Sequence, residues 1–351
     1  MTPRRFAWLL AVAIAVIALA MWLSSRRHLE RDLTAGEPVL PGLEQSVNSV
    51  TAVNLRKSDG THATIGKTTS GWNVAERGWP ADITKVRKLL LDLGALTIVE
   101  EKTRVPANYP QLGVEDLSSA KASGTLVEAV APTRTMAIII GKPSGAKSGF
   151  VRIVGAPQSL LAAPLISVDA DPKSWLEHDL IDIGAARVRA VEEKPAEGAA
   201  FSVTRDKPGP GSFTVSPIPK GRSLTGPAAA DAIAGALSAL TLDDVRKLED
   251  VPQSQISHVI FRTFDGLEVD LAGRKDAAHS LVALSAHSAA KETEAEAAKL
   301  NARCQGWEFE IADYKYASLF TPLEDLLVKP PEPAKKPAGG AHAAKSVPTT
   351  R

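Results

Sequence analysis

Val50-Thr51-Ala52-Val53-Asn54-Leu55 alternates apolar and polar residues and reads as a strand with one face buried. After it, Asp59-Gly60 supplies a hairpin turn, and His62–Gly66 and Gly71-Trp72-Asn73-Val74 supply two more strands. Pro80-Ala81-Asp82 then introduces a helix. Ile83, Val86, Leu89, Leu90, Leu93 and Leu96 fall on one face of it, and the Asp82 carboxylate is placed to accept from its first free N–H groups. The plan recurs from Val188. Val188–Val191, Phe201–Thr204 and Ser212–Val215 read as strands, and Gly226-Pro227 opens a helix whose apolar face is Ile233, Ala234, Leu237 and Leu240. Ala95-Leu96-Thr97 in the first copy answers Ala239-Leu240-Thr241 in the second.

A second block of strands follows each helix. In copy one it is Thr125–Val130, Thr135–Ile140 and Phe150–Val154; in copy two, Ser257–Thr263, Gly266–Ala272, Ser280–Ser285 and Trp307–Ile311. Matched positions lie roughly 130 to 145 residues apart, far beyond the about 20–50 of a solenoid. The expectation is therefore a duplicated domain. Copy two alone inserts Ala289–Arg303, AAKETEAEAAKLNAR, strongly helix-forming and charged all round. Such a segment reads as a solvated surface helix, with a protruding contact element as the sharper reading.

Phe6–Leu23 is an unbroken apolar run of 18 residues flanked by Arg4-Arg5 and Arg26-Arg27. At 1.5 Å per residue it would span about 27 Å, close to the hydrocarbon thickness of a bilayer. Trp8 and Trp22 stand near its ends, where indoles favour the headgroup level. A cleaved signal peptide ending at Ala18-Leu19-Ala20 is the competing reading, but the apolar run continues through Trp22 and Leu23. The short basic N-terminus argues for a body outside the cytoplasm. The expected plan is an anchor over 1–23, a connector over 24–49, α+β repeats over 50–183 and 184–328, and a Pro/Ala/Lys tail over 329–351. The fold class expected is thus α+β, an N-terminal transmembrane helix followed by two similar antiparallel sheet-plus-helix halves.

The formal charge of +1 gives no field to draw the chain to nucleic acid, and 5% aromatic residues offer few stacking platforms. Cys304 stands alone, so no intrachain disulfide or multi-cysteine metal site is available. Without a neighbouring base it reads as a semi-buried thiol. The seven histidines, at 28, 62, 178, 258, 279, 287 and 342, form neither an i, i+4 pair nor H-E-x-x-H. Asp169 and Asp171 make the best carboxylate pair for a hard cation, but Asp171 before Pro172 reads better as a helix cap with Trp175 packed behind. Gly141-Lys142-Pro143-Ser144-Gly145 resembles a phosphate loop, yet Met136 stands where its first glycine should be and Pro143 blocks the following helix. It reads as a turn between strands. Glu100-Glu101 and Asp243-Asp244 occupy corresponding places after the two helices and hint at a shared turn or strand start, a glycosidase pair being the remote alternative. No G-x-S-x-G elbow is present.

Several short patterns together resemble a bacterial family known as domain of unknown function 4340. They are Leu40-Pro41-Gly42-Leu43, Gly71-Trp72, Pro80-Ala81-Asp82, Leu112-Gly113-Val114, Ile140-Gly141, Trp175, Asn301-Ala302-Arg303, Gly306-Trp307-Glu308-Phe309, Asp313-Tyr314-Lys315 and Asp325-Leu326-Leu327. The likeness covers roughly residues 38 to 328. It implies an N-terminally anchored accessory protein of the envelope, often found beside the permease and gliding-motility-type subunits of an ABC transport system. It implies no catalytic residues.

The function expected is a non-enzymatic accessory or interaction protein, single-pass in the bacterial inner membrane with its body on the periplasmic side. Its partners are then the membrane, through Phe6–Leu23, and transporter subunits, with no nucleic acid, no known small-molecule ligand and no catalytic, cofactor or metal residues. The alternative is a module binding an envelope polymer or solute, with the site between the two halves; an envelope hydrolase is a distant third.

Overall fold

The computed structural model describes residues 35–209, 213–276 and 279–329. The chain divides into two compact units, with the boundary between His178 and Asp179.

In the first unit, among the described residues, nine strands form one antiparallel sheet: β1 (Ala52–Arg56), β2 (His62–Thr68), β3 (Gly71–Val74), β4 (Trp79–Pro80), β5 (Thr97–Glu101), β6 (Thr125–Ala131), β7 (Arg134–Ser144), β8 (Ser148–Ile153) and β9 (Ser159–Ala163). Their order is β4-β3-β2-β1-β6-β7-β8-β9-β5. Period-two alternation sets the faces: Val53 and Leu55 of β1 pair with Ile65 and Ala63 on one side and with Ala129 and Val127 on the other, all buried. Ile138, Ile139 and Ile140 are buried in succession, because both faces of β7 are covered; Tyr109 and Val114 pack on Ile139 from outside. The Ile83–Gly94 helix buries Val86, Leu89, Leu90 and Leu93, and Asp82 caps it by accepting from Thr84 N (2.9 Å) and Lys85 N (3.2 Å). Ile83, expected on the apolar face, is instead 45% exposed. It belongs to the i, i+4, i+8 ridge with Arg87 and Leu91, which faces away.

Of the segment expected as a connector, residues 24–34 lie outside the described residues and the rest is packed. Gly36 N and Val39 N donate to Ile98 O and Leu96 O (both 2.8 Å), Ile98 N donates to Glu37 O (2.9 Å), and Val39, Leu40 and Leu43 are buried. This lead-in therefore belongs to the first unit, as a partner for β5.

The second unit holds β10 (Asp179–Ile181), β11 (Val188–Lys194), β12 (Phe201–Thr204), β13 (Thr214–Ser216), β14 (Leu240–Thr241), β15 (Asp244–Lys247), β16 (Ser257–Thr263), β17 (Leu267–Asp276), β18 (His279–Ser288) and β19 (Trp307–Glu310). The main sheet runs β13-β12-β11-β16-β17-β18-β19-β15. Strand for strand this repeats the first unit's order from β3 to β5, lacking only a counterpart of β4. The lead-in repeats too: β10 pairs with β14, Ile181 opposite Leu240, as Val39 bonds Leu96.

The expected fold class is corrected. Strands dominate both units, and the second sheet-plus-helix half does not form as such. After Gly226-Pro227 only Asp231–Ala234 makes a turn of helix, and Leu240, placed on its apolar face, lies in β14. Gly235 interrupts the run, and four residues fall well short of the length that sustains a helix. Ile233, Ala234, Leu237 and Leu240 are nonetheless buried, so their apolar character reports burial while their spacing does not report a helix. Among the described residues no helix is long and apolar enough to cross a membrane. Phe6–Leu23, Ser212 and the tail from Pro330 lie outside the described residues.

Ala289–Arg303 is helical from Glu294 to Cys304, but it is not simply solvated. Ala297 and Cys304 are buried against β17 and β18, and Arg187 holds Glu296 through two bonds of 2.8 and 2.6 Å.

Candidate functional site

In the first unit Pro164 ends β9, since it has no N–H with which to continue the ladder. The chain then crosses as a strap, Leu165-Ile166-Ser167-Val168, which is neither helix, strand nor turn, before Pro172–Trp175 closes a short 3-10 turn. Both ends of the strap are fixed. Trp175 Nε1 donates to Asp169 O at 2.7 Å, and Asp171 caps the turn by accepting from Lys173 N at 3.0 Å. Ile166 and Ala170 are buried.

The strap separates two grooves. The larger, about 600 Å³, lies between it and the Ile83–Gly94 helix, with Lys57, Lys85, Lys88, Leu89, Asp92 and Trp175 on its walls. The smaller, about 390 Å³, lies between the strap and the ends of β6 and β7. Buried main-chain polar groups nearly always have partners. Yet among the described residues no hydrogen bond reaches the N–H or C=O of Leu165, Ile166, Ser167 or Val168.

Asp169 organises the floor. It accepts from Lys57 Nζ (3.1 Å), Asp171 N (3.1 Å) and Ser174 Oγ (3.2 Å). Burial works to raise its pKa, but the Asp171 N–H, Lys57 and Ser174 outweigh it and hold the carboxyl below its ordinary value. Lys85 Nζ donates to Ser174 O (3.1 Å), and Lys88 pairs with Asp92 (2.6 Å). These pairs are exposed, so the lysines can exchange them for another anion at little cost.

The second unit has a separate cavity of about 430 Å³ beside Trp307, lined also by His258, Asp270, Asn301, Cys304 and Gln305. Lys247 Nζ sits 3.4 Å from the Trp307 ring centre, and His258 Nδ1 lies 3.3 Å from Asp270.

The model of a family described as domain of unknown function DUF4340 matches residues 72–258, more than half of the chain, from β3 of the first unit to the start of β16 in the second. The chain belongs to the DUF4340 family. No similar curated protein and no similar solved structure was found.

Within this DUF4340 chain the residues singled out from sequence have mostly structural places. Asp171 is a cap, and Asp169 is held by Lys57. The Gly141–Gly145 stretch is no phosphate cradle: Lys142 Nζ donates to Pro110 O (2.9 Å) and Gln111 O (3.3 Å), and a Cβ on Gly141 would lie 2.4 Å from Leu112 O. The turn itself falls after β7, where Ser148 Oγ bonds Ser144 O. Glu100 pairs with Lys102, and Glu101 with Arg104; they lie on β5 while Asp244 opens its counterpart β15. Cys304 is fully rather than half buried, and burial pushes its thiol up to about 11. No group of three or more His, Cys, Asp or Glu among the described residues could hold a metal ion. The strap and its lysines carried no sequence signal, because Lys57 and Asp169 are 112 positions apart.

Proposed function

We propose that this DUF4340 chain is a non-enzymatic accessory protein of the bacterial envelope, acting outside the cytoplasm by holding a protein partner. Subunits of an ABC-type transport system are the partner that the family resemblance implies. The observation that carries the reading is the main chain of Leu165–Val168, unpaired among the described residues, beside a groove of mixed apolar and cationic character. Unpaired peptide groups on a fixed support are what a polypeptide partner can use. The test is purification of the tagged full chain from detergent-solubilised envelopes. The permease should co-elute in constant proportion; elution of the chain alone, with the permease intact in the flow-through, would overturn the reading.

The Trp307 cavity supports a second reading, a module for an envelope polymer or solute. An aromatic wall beside His258, Asp270 and Gln305 suits a hydroxyl-rich ligand. Equilibrium dialysis against envelope saccharides, with loss of binding in Trp307→Ala, separates the two.

A further inference from the structure

We infer that the larger groove of the first unit takes an extended acidic segment of a polypeptide, added as a strand along Leu165–Val168. This deepens the accessory reading above and rests on it. The strap is pinned at Ala163, which pairs with Thr97 of β5, and at Asp169 by Trp175, and Ile166 anchors its middle. Its main-chain groups are thus held in place without partners among the described residues, and their ordering cost has already been met in folding. In an extended run, alternate residues turn their N–H and C=O to the same edge, so each edge of the strap offers two residues to an incoming strand.

The charge on the walls selects the occupant. Lys57, Lys85 and Lys88 stand against Asp92 and Asp169, and the adjoining groove adds Lys142 without any carboxylate. Lys88 is 72% exposed and Lys57 36%, each able to turn from its present partner to an incoming carboxylate. Leu89 and Trp175 receive apolar side chains from the face of the added strand that turns inward. The second unit supplies a precedent. There the last strand, β19, leads directly into the Asp313–Leu319 helix, which packs on β18 and on the Asp231–Ala234 turn, the counterpart of the Ile83–Gly94 helix. Tyr316 and Leu319 of that helix are buried. At the corresponding point the first unit has only the strap, so a polypeptide supplied from outside fills what the second unit fills from its own chain.

The experiment selects a random octapeptide library displayed on phage against the full chain. Enriched peptides should carry Asp or Glu at alternate positions and lack proline. A synthetic copy of the leading peptide should bind at least tenfold more weakly when alternate amides are N-methylated, since this removes main-chain donors while leaving the protein untouched. Lys85→Glu/Lys88→Glu, changed at solvent-exposed positions, should weaken it by a similar factor, and amide exchange at Leu165–Val168 should slow at least tenfold in the complex. No enrichment, enrichment without acidic bias, indifference to N-methylation, or unprotected Leu165–Val168 amides would each overturn the inference. If the permease still co-purifies with the doubly substituted chain, the accessory reading survives and another surface carries it.

Discussion

Asn301 meets Ala286 as a paired strand would: its Oδ1 accepts the Ala286 N–H at 2.8 Å, and its Nδ2 donates to the Ala286 C=O at 2.6 Å. The need arises because β19 pairs with β18 only at Leu281 and Val282, leaving the far half of that edge to be finished by other groups. One side-chain amide thereby stands in for a missing peptide unit. Asn301→Ala should destabilise the protein by about 2 kcal/mol, since a part-buried donor and acceptor both lose their partners. Urea unfolding measures this, and a change under about 0.5 kcal/mol would mean that the helix contributes little to the sheet. Replacing Ala289–Arg303 by a short Gly/Ser turn should cost at least as much.

Glu193 occupies in β11 the place that Leu55 occupies in β1. Leu55 pairs with Ala63 and Val127, and Glu193 with Phe201 and Val259, on corresponding strands. Glu193 is 2% exposed with its Oε1 unpartnered, and burial raises its pKa from 4.5 to about 9. Below about pH 4.5 it is protonated folded or unfolded, and it adds no pH dependence. Between about 4.5 and 9 only the unfolded chain ionises, so stability falls by about 1.4 kcal/mol per pH unit, reaching about 3 kcal/mol at pH 7. Glu193→Gln removes that slope. Denaturation midpoints at pH 5, 7 and 9 should show the variant gaining on the parent as pH rises; parallel curves would show that the carboxyl finds a partner.

Glu308, 3% exposed, accepts from Arg246 Nε (3.0 Å) and Arg274 Nε (2.8 Å) and ties β15 to β17 through β19. Glu308→Ala leaves Arg246 and Arg274 close together with the more exposed Asp276 and Glu249 as their carboxylate partners. The cost expected is about 2–3 kcal/mol, below that of a fully buried pair because Arg246 is 35% exposed. Thermal unfolding with and without added salt checks it, and salt should narrow the gap between variant and parent.

Cys304 should resist iodoacetamide at pH 8 in the folded protein and react fully in urea, because the thiol is buried and its pKa lies near 11. Mass spectrometry reads the adduct. Labelling of the folded chain at the rate of a free thiol would show that the Glu294–Cys304 helix opens readily.

What could be read from sequence followed from period and from local chemistry. Val53 and Leu55, or Val259 and Phe261, alternate with polar neighbours, and Asp82 and Asp171 sit where a cap must sit. The edge strands Thr97–Glu101 and Asp244–Lys247 escaped, since their charged residues mask the alternation. Asn301 looked like one more polar position on a polar helix; its bonds depend on where β19 leaves β18, which no local pattern encodes. The strap is invisible for a related reason: what distinguishes Leu165–Val168 is the lack, among the described residues, of main-chain hydrogen-bond partners, and periodicity reports only on faces.

A chain so rich in strands must also keep copies of itself from joining edge to edge. At one margin of the first sheet stands β4, two residues long and ending in Pro80, its outer edge already covered where Glu177 N donates to Pro80 O and Asp82 N to Trp175 O (both 2.8 Å); at the matching margin of the second stands β13, three residues long and followed at once by Pro217. Neither proline has the N–H that a docking strand would need. One margin is thus covered by the chain itself and the other is short and poor in donors, and mutation of Pro217 should be sought among variants that precipitate.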